Sequence, residues 1–318
     1  MFKEKRLAVV SVLMIVLLVI TLAPVSAVFA QGSTDVCLDS TPRIAVISAL
    51  SSELELLLSE AEIEGTCVIN NVSYHIGTLR GNDVVMFLSG VSMVNAAMTT
   101  ERAINHFNIE RIVFSGIAGG VNPDLHIGDV VVPIQYGEYL ESYLVREVNG
   151  VFTPPSYWTP EFPNYGMIFP SSVSVIDLTG EPDSYIDQFW FPADPEMFAV
   201  AQSLVVDLAQ CTPEQVCLTQ DPILVVGGNG VSGQSFVDNA EFRIYVWETF
   251  GANVLEMETA AVAHVAMSHD IPYLAFRSLS DLAGGGPGEN EIRTFFQLAA
   301  DNSAKVLLTF LEEWAKAH

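Results

Sequence analysis

The sequence predicts one α/β domain of three layers, α/β/α, around a central mixed, mostly parallel sheet. Two observations carry that reading: apolar runs of strand length alternate with stretches of helical period, and Gly, Pro, Asn and Ser clusters separate them. Length agrees, since a chain of 318 residues suits one large α/β domain once a leader is removed.

The leader comes first. Lys3, Lys5 and Arg6 precede an apolar run over residues 7–22, and small residues follow as far as Ala27 and Ala30. This is the order of a secretory signal peptide. The competing expectation is an uncleaved anchor, because the run approaches the roughly 20 residues that span a bilayer. Residues 1–30 are thus expected to be a signal peptide, 31–42 an unstructured leader and 43–318 the domain, with an aromatic-rich insertion at about 135–195. Cleavage moves the formal charge from −25 to −27 by removing three cations and one anion. Such a surface repels phosphate backbones and anionic membranes. Nucleic acid is therefore excluded as a partner, and no stable membrane association is expected after cleavage.

The four cysteines, Cys37, Cys67, Cys211 and Cys217, all lie beyond the leader's cleavage point, and an even number in an exported chain fits disulfides. Pairing of Cys37 with Cys67 and of Cys211 with Cys217 is expected, with free structural thiols as the alternative. No Cys-x-x-Cys or clustered His accompanies them, which speaks against a zinc site. Asn71-Val-Ser73 is a glycosylation sequon, meaningful only in a eukaryotic host.

Within the domain, residues 43–49 read as a buried strand. Leu54, Leu57 and Leu58 then recur at helical spacing, with Ser51 or Ser52 as candidate caps. Glu53 falls in that first helical turn, at the strand end where open α/β sheets bind ligands. Strands are expected at 72–78 and 84–89, a helix at 94–107 and a strand at 111–115. Gly116-Ile-Ala-Gly-Gly120 then reads as a tight turn with exposed amides, and another strand begins near Ile127. Residues 135–195 read as a surface excursion whose aromatics either line a pocket or interface or pack on one another. A helix at 195–209, a strand at 223–227 and a loop at 228–238 follow, with Asp238 capping a helix to Phe250. A small-residue helix over 259–268, a buried strand over 271–278, a mobile loop at 284–288 and a long amphipathic helix over 291–314 complete the chain.

Chemistry concentrates in a few positions. Glu256 and Glu258 stand among Val254, Leu255, Met257 and alanines, where carboxylates need partners or a task. Arg277 is a candidate partner for either. Asp281 lies between an apolar strand and a Gly-rich loop, placed equally well for catalysis or for capping a turn.

Four ordered runs carry a resemblance. They are Ser89-Gly-Val-Ser-Met-Val-Asn-Ala-Ala97, Ser115-Gly-Ile-Ala-Gly-Gly120 with Ile127-Gly-Asp-Val130, Glu256-Met-Glu-Thr-Ala-Ala261 and Arg277-Ser-Leu-Ser-Asp281. Together they resemble the purine nucleoside phosphorylase and 5′-methylthioadenosine/S-adenosylhomocysteine nucleosidase superfamily, in an exported branch similar to plant bark storage proteins. The resemblance implies a nucleoside substrate, with Asp281 as general acid toward purine N7 and Glu53 directing the attacking water with help from Arg277. It implies that Met257 and Glu258 hold the ribose, Phe236 stacks on the base, Val237 reads its edge and Ser280 supports Asp281. Ile117, Ala118 and Gly119 join the substrate-binding set. No metal or organic cofactor is called for, and a homodimer or larger homo-oligomer is implied. Water is favoured over phosphate as nucleophile because no Arg stands between Arg80 and Arg102. A phosphorylase and a catalytically silent storage or nucleoside-binding protein are the alternatives.

Overall fold

The computed structural model describes Cys37 and residues 39–318. The expected signal peptide lies outside the described residues. Among those described, no helix is long and apolar enough to cross a membrane.

A twelve-stranded mixed sheet forms the middle layer. Its centre is β1 (Asp39–Ser48), flanked in parallel by β4 (Asn82–Leu88) and β5 (Phe107–Gly120), with Val46 opposite both Met86 and Val113. From Ile44 onward β1 is buried at every position, as a parallel strand covered on both faces must be. On the β4 side the antiparallel strands β3 (Val72–Leu79) and β2 (Glu62–Ile69) finish the sheet. On the other side, β12 (Tyr273–Asp281) runs parallel to β5, and β11 (Ala252–Glu256) runs antiparallel to it. Short strands extend the sheet: β6 (Val130–Val132), β7 (Gln135–Gly137), β8 (Trp190–Pro192), β9 (Leu224–Val226) and β10 (Asn229–Ser232).

Helix α1 (Ser51–Glu60) packs on the C-terminal helix, which itself lies on β12 and β5. Helix α2 (Met93–His106) packs instead on α5 (Thr259–Ser268). The short α3 (Pro195–Gln202), capped by Asp194 with Pro195 at its start, and α4 (Ala240–Phe250) complete the helices before α6 (Ile292–Ala317). Small residues on α5, Ala260, Ala261, Ala263 and Ala266, are all buried and permit its close approach.

Both expected disulfides are formed, Cys37 to Cys67 and Cys211 to Cys217. The first corrects the domain boundary. The chain enters the fold by Cys37 and pairs in the sheet from Asp39, so residues 39–42 are strand and not leader. Gly116–Gly120 is also corrected: it is no turn but the last part of β5, and none of Gly116, Gly119 and Gly120 has positive φ. Glycine is needed at Gly116 for space, since a Cβ there would collide with the Arg277 guanidinium and lie 2.8 Å from Glu53 Oε1.

Other differences are local. The expected helix over 195–209 ends at Gln202. Leu204, Val206 and Leu208 then alternate with exposed residues, and Asn302 clamps both the N–H and the C=O of Ala209. The loop at 228–238 contains β10. Asn239, not Asp238, caps α4 by accepting from Phe242 N–H at 2.8 Å. The excursion at 135–195 contributes β7 and β8 to the main sheet, and part of its aromatic set packs inward, Phe162 lying 4.3 Å from Phe189, which stacks on Phe250 at 5.4 Å, while Tyr143, Tyr157 and Tyr185 are exposed. No residue of the excursion lines the cleft described next.

Candidate active site

At the C-terminal ends of β1, β5, β11 and β12 a cleft encloses about 700 Å³, open solvent at its mouth included. Such strand ends are where α/β sheets place ligands. Of the residues named from the sequence, Glu53, Ile117, Ala118, Gly119, Phe236, Val237, Met257, Glu258, Ser280 and Asp281 all line it. Arg277 is the exception.

Glu53 is buried at the start of α1. Its Oε2 accepts from Ala49 N–H at 2.9 Å and Leu50 N–H at 2.8 Å, and Oε1 accepts from Ile117 N–H at 2.9 Å. The N-cap of α1 is thus Leu50, and Glu53 supplies the reciprocal bond expected of a serine cap. Burial raises the pKa of its carboxyl against the pull of Arg277 and these three amides.

Glu256 ends β11 and Glu258 caps α5. Glu256 Oε2 accepts from the N–H groups of Glu258 and Thr259 at 3.0 Å, and its Oε1 bonds Ser232 Oγ. This carboxylate fixes the turn that aims Glu258 into the cleft. Glu258 Oε1 accepts from Ser92 N–H at 2.7 Å, a contact made possible by positive φ at Ser92, +79°, just before α2. Burial and the nearby Glu256 charge push the Glu258 pKa up to about 8, opposed by Arg277.

Arg277 is fully buried behind these acids. Nη2 lies 2.7 Å from Glu256 Oε2 and 3.8 Å from Glu258 Oε2, Nη1 donates to Ile117 C=O, and the guanidinium lies 4.2 Å from the Phe114 ring centroid. Arg277, expected to help fix the attacking water, is held behind the cleft wall by Glu256, Glu258 and Thr259.

Asp281 closes β12 and is 3% exposed. Oδ1 accepts from Ala283 N–H at 2.8 Å and Asn290 Nδ2 at 3.2 Å, and Oδ2 faces Ser280 Oγ at 2.9 Å. Burial raises its pKa, while those donors lower it. Phe236 stands 56% exposed and lines the cleft beside the half-buried Val237. Among the described residues no group of three His, Cys, Asp or Glu is arranged to hold a metal.

Ser92 and Asn290 were missed by the sequence reading. Each immediately precedes or nearly precedes a helix, so a search for helix-capping polar residues would have flagged both.

Fold and cleft together define an α/β protein of the nucleoside phosphorylase kind, with buried carboxylates gathered at the strand ends. A family model described as the phosphorylase superfamily matches residues 43–312, and the chain belongs to that superfamily. It is 28% identical over 272 residues to the 5′-methylthioadenosine/S-adenosylhomocysteine nucleosidase of Bacillus cereus strain G9842, an alignment covering 85% of this chain and 99% of the relative. Among solved structures, the Streptococcus pneumoniae nucleosidase of that name, bound to a transition-state inhibitor, superposes with TM-score 0.62 at 24% identity, covering 86% of this chain and 99% of the other. The Helicobacter pylori futalosine hydrolase superposes with TM-score 0.61 at 22% identity, covering 88% and 100%.

Proposed function

We propose that the chain is an exported purine nucleosidase that hydrolyses the N-glycosidic bond of adenosine-type nucleosides, methylthioadenosine among them. The observation that carries this reading is the convergence of Glu53, Glu258 and Asp281 on one cleft whose remaining wall is largely apolar. The 28% identical relative named as a nucleosidase supports the same reaction class.

In this reading the base sits against Phe236 and the Val237 backbone, while Glu258 and Met257 engage the ribose. Asp281 gives its proton to purine N7, and the C1′–N9 bond breaks with its electron pair passing into the base. The positive charge that develops on the sugar faces Glu258. Water then bonds to C1′ and loses a proton to Glu53, giving free purine and free sugar. Proton return from Glu53 to Asp281 through solvent resets the site.

Phosphate as acceptor is disfavoured on electrostatic grounds. Glu53, Glu256, Glu258 and Asp281 line the cleft, whereas among the described residues no lysine or arginine does. A phosphate dianion entering there finds, among those residues, no cationic side chain lining the cleft to hold it. Export is supported by the residue order of 1–30 and by two disulfides. A homodimer or larger homo-oligomer is supported by Val94 and Met98, 65% and 51% exposed on α2.

Incubation of the purified protein with methylthioadenosine, adenosine, inosine and uridine, each with and without phosphate, tests the reading. Free adenine and free sugar from methylthioadenosine and adenosine, at a phosphate-independent rate, are expected. A sugar 1-phosphate would make the chain a phosphorylase, and no product from any of the four a binding or storage protein.

A further inference from the structure

Asn290 stands at the end of the Gly-rich segment that follows Asp281, just ahead of α6. Its Oδ1 accepts from Ile292 N–H at 3.0 Å, which fixes the orientation of the amide and turns Nδ2 away from the helix. Nδ2 then has two acceptors, Asp281 Oδ1 and Asp238 Oδ1, each at 3.2 Å. Asp238 directly follows Val237 in the cleft wall. The same segment is tied to that loop at its other end, where Asn239 N–H donates to Ala283 C=O at 3.1 Å. Gly284, at φ +88°, lies so close to Asp238 and Asn239 that a Cβ would collide with their backbone.

We propose that Asn290 is a positioning residue that couples the base-binding loop at 235–238 to Asp281 and selects which oxygen of Asp281 carries the catalytic proton. This rests on Asp281 being the general acid. Oδ1 already receives two N–H donors, Ala283 and Asn290, and a proton there would face both. Oδ2 faces only the Ser280 hydroxyl, which can accept from a protonated Oδ2 while donating to Ala118 C=O at 3.4 Å. The proton therefore resides on Oδ2. On transfer the Oδ2–H bond breaks, its electron pair stays on the carboxylate, and the Ser280 hydroxyl turns to donate to Oδ2. The anion formed is then held by three donors. Asp238 is the titratable neighbour bearing on Asp281. β5 meets it with Gly119, and the following segment with Ala283 and Asn290.

The test is the pH profile of kcat/KM for Asn290→Ala and Asn290→Asp beside Asp281→Asn. Asn290→Asp keeps an acceptor for Ile292 N–H, so it preserves the helix start. Both Asn290 variants are expected to lose roughly ten- to hundredfold in kcat/KM, and the alkaline limb moves to higher pH, furthest in Asn290→Asp. Loss without a moved limb, or an unchanged profile in a variant of native circular dichroism, overturns the proposal. If Asp281→Asn stays active, the general-acid reading fails first; if it is inactive while the Asn290 variants are unaltered, only the coupling fails.

Discussion

Arg277 and Glu256 form a buried ion pair, 2.7 Å from Nη2 to Oε2, directly behind the cleft. The arginine also bears on Glu258 and Glu53, so a single cation offsets three buried carboxylates. Removing one partner of such a pair leaves an uncompensated charge. Arg277→Met is expected to destabilise the fold by about 3–5 kcal/mol, read as a lower urea midpoint. A midpoint within error of the unsubstituted protein would show that the acids do not depend on Arg277.

Gly116 faces the same network across β5. An added methyl would press on Arg277 and Glu53 in a fully packed site, and overpacking of this kind costs about 1–3 kcal/mol. Gly116→Ala should therefore lower both thermal stability and kcat, whereas a true turn glycine of positive φ would affect stability alone. Normal activity in Gly116→Ala would refute the steric assignment.

Glu258 makes the fold pH-sensitive. Its pKa is raised from 4.5 unfolded to about 8 folded, so between those values the native state holds a proton that the unfolded state has lost. Stability tied to this group is complete below 4.5 and is lost as pH rises through about 8. Glu258→Gln should flatten the fall in melting temperature across this window while abolishing nucleoside cleavage. Parallel melting curves for the two proteins from acid to alkaline pH would contradict this sign. In the proposed function sugar hydroxyls donate to the ionised carboxyl, so nucleoside binding should also release protons near neutral pH, measurable by calorimetry in buffers of different ionisation enthalpy.

The disulfide between Cys37 and Cys67 spans 30 residues and ties the entry of β1 to β2. Closing a loop of that length restricts the unfolded chain by roughly 3–4 kcal/mol. Cys37→Ser with Cys67→Ser is expected to lower the denaturation midpoint accordingly and to leave the cleft intact, since neither residue lines it. Unchanged stability would place the bond outside the cooperative unit.

The sheet was legible wherever apolar strands were buried on both faces, as at residues 44–48 and 273–278, because continuous apolar runs have few other uses. β2 was not found: its pattern is exposed along most of its length, so no apolar run announces it. The cleft acids were found through ordered motifs, while local context left Asp281 balanced between catalyst and cap. Gly116–Gly120 misled for a physical reason. The demand for glycine at Gly116 comes from Arg277, 161 positions away in sequence but a direct neighbour in space. Asn290 is visible in sequence as a residue ahead of a helix, but its link to the cleft is not, since its two acceptors, Asp281 and Asp238, arrive from a strand end and a separate loop.

The most direct measurement is the initial rate of methylthioadenosine cleavage by Asp281→Asn against the unsubstituted protein, with melting temperature as the control for folding. A general acid contributes about 10²–10⁴-fold, and the asparagine offers no acidic proton to purine N7. The account predicts a loss of at least that order with the fold retained. Retention of most of the rate by a folded Asp281→Asn protein would contradict it.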